Sequence, residues 1–260
     1  MRGGIRGVLV DLSGTLHVEG TATRDAVAAL ARLRESGLQV RFVSNTSKES
    51  RGQLEARLSQ LGFAVEPRHL VTSLSAAATL VRRRKLRPLL LVDGGAQTDF
   101  ALVDAASSDA DFDSVVVGLA PAKFEYESLS RAMNVLLKNP TLIALHKGRY
   151  LHRSDGLALG PGPFVAALEY ATGVTAEVVG KPTRAFFQIA LDDMHLAAVE
   201  CVMIGDDVRD DVEGALDAGM QGVLVQTGKY RDGDETRHGI TPSATVADFS
   251  EAVDLILSSS

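Results

Sequence analysis

The apolar run Val8-Leu9-Val10 stops on Asp11, and a short turn containing glycine, Leu12-Ser-Gly-Thr-Leu16, follows at once. A strand apolar on every residue has to be covered on both faces, which is the situation of a strand inside a parallel sheet. Open parallel sheets bind their ligands beyond the carboxyl ends of the strands. Strand-to-turn punctuation of this kind is common on its own, but in this chain it recurs. Gln39-Val-Arg-Phe-Val43 runs into Ser44-Asn45-Thr46, Glu177-Val-Val179 into Gly180-Lys181-Pro182, and Cys201-Val-Met-Ile204 into Gly205-Asp206-Asp207.

Helical patterns separate these runs. Val27, Leu30 and Leu33 recur at helical spacing between Thr23 and Ser36, and Gly37 supplies a stop. Leu54, Leu58 and Leu61 mark a second helix closed by Gly62, and a third is expected from Ser75 to about Arg83. Strand, helix and strand in this order make a βαβ unit. After residue 177 the alternation resumes, with a helix carrying Phe186, Ile189 and Ala190, another near Val212 to Ala218, the strand Gly222-Val-Leu-Val225, and a last helix with Phe249, Val253 and Ile256. The pattern changes in between. Leu89–Val92, Ser114–Val117 and Leu142–Leu145 predict short strands, Leu129, Met133, Leu136 and Leu137 one helix face, and Gly160-Pro-Gly-Pro163 leads into a helix from Phe164 to Ala171. The expected class is therefore α/β. A Rossmann-like core, residues 1–85 and 177–260, carries a parallel sheet with helices on both faces, and residues 86–176 form an inserted α+β module.

Composition narrows the function classes. With 45% hydrophobic and 23% charged residues among 260, the chain can bury a real core and is far from disordered composition. A net charge of −6 argues against a nucleic-acid surface, and Arg82-Arg-Arg-Lys85 reads as a solvated helix end. The single cysteine, Cys201, rules out an intrachain disulfide and suits a reducing compartment. No apolar run nears the roughly 20 residues of a bilayer span, and Val8-Leu9-Val10 is too short for a secretory signal, so the expectation is a cytoplasmic protein with no membrane or nucleic-acid partner.

If the four polar strand ends share one sheet edge, Asp11, Ser44, Asn45, Lys181 and Asp206 gather there. Carboxylates from two strands hold a hard cation such as Mg²⁺, a hydroxyl and an amide hold phosphate oxygens, and a lysine neutralises added charge. Without a cation, Asp11, Asp206, Asp207 and Asp211 would repel one another.

The stretches Asp11-Leu-Ser-Gly-Thr, Phe42-Val-Ser-Asn-Thr46, Val179-Gly-Lys-Pro182 and Ile204-Gly-Asp-Asp-Val-Arg-Asp-Asp211 resemble, in order, the four motifs of the haloacid dehalogenase-like (HAD) hydrolase superfamily. The insertion between the second and third resembles the C2-type cap of the NagD-like subfamily. The resemblance spans the whole chain. It implies a Mg²⁺-dependent phosphatase in which Asp11 is the nucleophile and forms an aspartyl-phosphate. The main-chain carbonyl of Ser13 and the carboxylate of Asp206 join Asp11 on the cation, Ser44 and Asn45 hold the phosphoryl group, and Lys181 balances its charge. Asp211 orients metal-bound waters or Lys181, and Asp207 is either a supporting group or a solvated neighbour. The implied partners are a small phosphorylated substrate or phosphoamino acid, and a second copy joined through the cap.

One position departs from that pattern. Most phosphatases of the superfamily carry a second aspartate two residues after the nucleophile, as acid and then base; this chain has Ser13. A hydroxyl is a poor general acid, and such catalysis typically contributes about 10²–10⁴-fold. Pyrophosphate, acyl or aryl phosphates and phosphorus–nitrogen bonds are then better substrates than alkyl monoesters. The alternative is a phosphate-binding or protein-docking module that keeps the fold and has lost turnover. The residues themselves also allow plainer roles: Ser44 and Asn45 as a helix cap, Asp210 and Asp211 at a helix dipole, and His17 and His146 as structural groups.

Overall fold

The structure, a computed structural model, describes residues 4–18, 20–47, 49–101, 111–153 and 156–259. The chain divides into two compact units, one made of Met1–Ser44, Glu55–Val71 and Lys181–Ser260, the other of Asn45–Leu54 and Thr72–Gly180.

The first unit is built on a six-stranded sheet in the order Ala244–Val246, Gln221–Val225, Cys201–Gly205, Gly7–Asp11, Gln39–Ser44, Leu70–Thr72. The ladders that join Ala244–Val246 through to Gln39–Ser44 are all parallel. The central strands are apolar because both faces are covered: Val8, Leu9, Val10, Phe42, Val43, Val202, Met203 and Ile204 are all fully buried. At roughly 1.5–3 kcal/mol per buried aliphatic side chain, these strands anchor the unit. The helix Ala26–Glu35 packs against Phe249–Ser258, and Arg32 is paired to Asp254 at 2.5 Å. From Gly7–Asp11 the chain adds strands on one side up to Leu70–Thr72, then on the other from Cys201–Gly205 onward, so the order reverses between Gly7–Asp11 and Cys201–Gly205. A crevice at such a switch point is where open sheets bind ligands.

The second unit holds a four-stranded parallel sheet, Glu177–Val178, Leu142–Ala144, Ser114–Val117 and Pro88–Leu91, with a separate antiparallel hairpin, Tyr150–Arg153 and Gly156–Leu159. Alternation along the strands feeds two cores. Val115, Val117, Leu142 and Ala144 pack with Ala132, Val135, Leu136, Val165 and Leu168, while Val116 and Ile143 pack with Leu74, Ala77, Val81 and Phe100. The helices Tyr126–Lys138 and Gly162–Thr172 thus supply one face, and Ser73–Arg84 the other.

Several elements differ from the expectation drawn from sequence. The strand Glu177–Val178, placed with the core sheet, pairs instead with Leu142–Ala144 in the sheet of the second unit. The helix expected from Ser75 begins at Ser73 because Thr72 caps it: Thr72 Oγ1 accepts from the Ser75 N–H at 3.0 Å and the Ser75 hydroxyl oxygen accepts from the Thr72 N–H at 3.1 Å. This helix belongs to the second unit, which therefore starts ahead of residue 86. Leu137 and Ile189, expected on buried faces, are 59% and 42% exposed: on the helix of Leu137 it is Val135 and Leu136 that are buried, and on the helix of Ile189 it is Phe186, Phe187 and Ala190. Among the described residues no helix is long and apolar enough to cross a membrane.

Candidate active site

Strand register brings the site together. Asp11 is the last residue of Gly7–Asp11 and lies opposite Val43, so Ser44 sits one step further along the same edge; both are buried. On the other side Val10 lies opposite Ile204, which sets Gly205 level with Asp11 and Asp206 just beyond it. The segment after Asp11 is a tight turn, closed by Leu16 N–H to the Leu12 carbonyl at 2.9 Å and Gly14 N–H to the His17 carbonyl at 2.8 Å. Ser13 is exposed on it.

Asp211 reaches the same point by a wide turn. Val208–Glu213 is a π-helical segment in which the N–H groups of Asp211 and Val212 both donate to the Asp207 carbonyl, at 3.0 and 3.3 Å. The regular helix expected near Val212 to Ala218 is only Gly214–Asp217, and π-turns of this kind often mark functional sites. Asp207 caps the segment, accepting from Arg209 and Asp210 N–H at 3.1 and 3.0 Å. Asp211 Oδ2 accepts from the Asp207 N–H at 3.1 Å, and its side chain fills the space where any Cβ on Gly205 would stand.

Lys181 closes the cluster. Its ammonium donates to Asp11 Oδ1 at 2.5 Å and to Asp211 Oδ1 at 2.6 Å, with the lysine side chain 4% exposed. Burial alone would lower the lysine pKa, but Asp11 and Asp211 outweigh it and hold the group well above its ordinary value. Asp206, 2% exposed, is pushed up to about 7, first by burial and then by repulsion from Asp11. Burial also drives Asp211 well above the usual carboxylate range, with Asp11 and Asp206 adding to the effect against the pull of Lys181. Asp210 rises to about 6 through burial and its neighbour Asp207. Asp207 goes the other way: Lys229 and the capping N–H groups overcome burial and lower it.

Asp11, Asp206 and Asp211 each present a carboxylate oxygen within 4.8 Å of the others. Unit charges at that separation repel by roughly 3–4 kcal/mol at an effective dielectric near 20. Lys181 touches two of the three, and Asp206 is left to hold a proton or meet a cation. A buried set made only of oxygens suits a hard divalent ion, so these residues fit Mg²⁺.

The structure thus gathers Asp11, Ser44, Lys181, Asp206 and Asp211 on the first unit, with Asp207 half-buried beside them and Ser13 at the surface. Asn45 belongs to the second unit, where its side chain lies against Gly180. His17 is buried, with Nε2 3.0 Å from the Arg57 guanidinium. Sequence reasoning missed Thr227, Gly228 and Lys229. The Lys229 N–H donates to Asp206 Oδ2 at 2.6 Å, and the Thr227 hydroxyl donates to the Gly14 carbonyl. A signal existed, since Gln226-Thr-Gly-Lys229 follows an apolar strand just as the other polar ends do.

Comparison with known proteins gives the same family throughout. The family described as haloacid dehalogenase-like hydrolase matches residues 8–105, and a HAD-hydrolase-like family matches residues 178–252. The chain is 52% identical to haloacid dehalogenase-like hydrolase domain-containing protein 2 of Rattus norvegicus, over 97% of this chain and 96% of that protein. It is 41% identical to the phospholysine phosphohistidine inorganic pyrophosphate phosphatase of Homo sapiens, over 98% and 95% of the two chains. Among solved structures, a glycerol phosphate phosphatase from Mycobacterium tuberculosis in complex with magnesium has a TM-score of 0.84 at 27% identity, covering 96% of this chain and 78% of that one.

Proposed function

The chain belongs to the haloacid dehalogenase-like hydrolase family, and from that premise we propose a Mg²⁺-dependent phosphatase that works through an aspartyl-phosphate on Asp11 and favours good leaving groups. The observation that carries this reading is the Lys181 ammonium bridging Asp11 and Asp211 within a buried triad of carboxylates. That contact fixes the direction of the Asp11 carboxylate, as a nucleophile requires.

An Asp11 carboxylate oxygen bonds to phosphorus as the bond to the leaving group breaks. Water then attacks the same phosphorus, and phosphate departs with the Asp11 carboxylate restored. Ser44 holds the phosphoryl oxygens and Lys181 offsets their charge, while Asn45, the other residue expected there, belongs to the second unit. Asp11, Asp206 and the main-chain carbonyl of Ser13 would hold the cation, and Asp211 would orient Lys181 or water beside it. When bound, the ion neutralises the carboxylates and the negative charge on the phosphoryl group.

Ser13 decides the substrate class. An exposed hydroxyl does not protonate an alkoxide effectively, so the leaving group must depart with little help. Pyrophosphate, aryl and acyl phosphates and phosphorus–nitrogen bonds meet that condition, in line with the similarity to a phospholysine phosphohistidine inorganic pyrophosphate phosphatase. The partner is a small phosphorylated molecule or a phosphoamino acid. The test is phosphate release from p-nitrophenyl phosphate, pyrophosphate, phospholysine and glycerol phosphate, with Mg²⁺ and with chelator. Activity on the first three that is lost with chelator and in Asp11→Asn is expected. Turnover that survives Asp11→Asn sinks the nucleophile assignment, and phosphate binding without turnover favours a binding module.

A further inference from the structure

The turn after strand Gln221–Val225 meets the carboxylate cluster at two points. The backbone N–H of Lys229 donates to Asp206 Oδ2 at 2.6 Å, and the Thr227 hydroxyl donates to the carbonyl of Gly14, in the turn that follows Asp11. Between these contacts stand two glycines in the left-handed region, Gly14 at φ +100° and Gly228 at φ +59°. A Cβ on either would overlap Asp206 Oδ2, and one on Gly228 would also strike the Gly14 backbone. Asp206 is therefore enclosed by main chain on a scale that only glycine permits.

We propose that Thr227-Gly228-Lys229 is a positioning clamp that sets the direction in which Asp206 presents its carboxylate to a divalent cation, and so governs cation affinity without ligating the ion. The proposal rests on the reading of Asp206 as a cation ligand. The terminal torsion of an aspartate is broad, so an unrestrained carboxylate samples many orientations. Committing Oδ2 to a fixed N–H, with glycine backbone on either side, removes that freedom. Mg²⁺ demands near-octahedral geometry, so a ligand held in one direction binds it better than one that wanders. Thr227 ties the clamp to the Asp11 turn, which couples the positions of the two carboxylate-bearing segments.

Mg²⁺ affinity of the metal-free full chain, measured by isothermal titration calorimetry, tests the clamp. Loss of partners behind a metal ligand typically weakens binding by about 10–100-fold. Gly228→Ala is expected to fall in that range, and Thr227→Val to lose about 3–10-fold. Gly233→Ala is the control: Gly233 is also left-handed, at φ +76°, but an added Cβ there meets open space. It carries the same backbone strain and is expected to bind within about twofold of wild type. The clamp is overturned if Thr227→Val and folded Gly228→Ala both keep wild-type affinity, or if Gly233→Ala weakens binding as much as Gly228→Ala. Should Gly228→Ala not fold, Thr227→Val decides alone. Absence of Mg²⁺ binding by the wild type brings down the cation reading and the clamp together, whereas unchanged binding in the variants brings down the clamp only.

Discussion

Lys181 and Asp211 meet at 2.6 Å, ammonium to carboxylate, with side chains only 4% and 1% exposed. A buried pair of this kind adds little over an apolar substitute, but removing one partner leaves an uncompensated charge and costs about 3–5 kcal/mol. Here the lysine also serves Asp11, so its loss strands two carboxylates in a cluster that already contains Asp206. Lys181→Met is expected to lose roughly that much unfolding free energy near pH 8 without metal, and less near pH 5, where Asp211, held well above the usual carboxylate range by burial, takes up a proton. Urea unfolding at the two pH values checks this, and equal losses at both would contradict it.

Ser13 offers a gain-of-function test. It is exposed, so a carboxylate placed there costs little in packing. Ser13→Asp restores a candidate acid two residues beyond Asp11, and general acid catalysis is worth about 10²–10⁴-fold where the leaving group needs a proton. The ratio of kcat/KM for glycerol phosphate to that for pyrophosphate is expected to rise by at least about tenfold. An unchanged ratio would undercut the leaving-group argument.

Asp207 is a cap in this structure. It accepts from the Arg209 and Asp210 N–H groups and pairs with the Lys229 ammonium at 3.3 Å. Asp207→Ala is expected to cost about 1 kcal/mol, and Asp207→Ser, which keeps an acceptor oxygen, to recover most of it. Thermal unfolding of the two variants checks this, and equal losses in Asp207→Ser and Asp207→Ala would contradict the capping role.

What the sequence made legible follows from how each feature is encoded. The central strands announced themselves because a doubly covered strand is apolar throughout, and the residue that ends it stands out, as Asp11 and Asp206 do. Leu70–Thr72 and Ala244–Val246 are three-residue edge strands, too short to show a period, and Glu177–Val178 is shorter still. Which sheet that strand joins depends on tertiary packing, not on its own composition. Leu137 fits a helix period, yet its neighbours Val135 and Leu136 already fill the available core. The grip on Asp206 was hidden for a different reason. Its donor is a backbone N–H, which every residue but proline carries, so no side-chain type at position 229 could reveal it.

Asp206 also predicts how the protein responds to pH. Its pKa in the folded, metal-free chain is pushed up to about 7, against 3.8 for an ordinary aspartate, first by burial and then by Asp11. The folded state therefore holds this proton more tightly than the unfolded chain. The stability it contributes is complete below about pH 4 and is lost as pH rises toward 7, with a slope of at most about 1.4 kcal/mol per pH unit. A bound divalent cation needs the ionised carboxylate, so binding releases the proton and affinity climbs through the same window. Thermal melts between about pH 5 and pH 8 should show metal-free Tm falling with pH while the Mg²⁺-induced rise grows. In Asp206→Asn, which cannot ionise but still offers an oxygen to the Lys229 N–H, this group's part of the slope should vanish and the metal-free protein should be more stable than wild type near pH 8. Loss of stability in Asp206→Asn at that pH would mean that the Asp206 charge is already balanced by groups within the fold, and that no cation is needed to offset it.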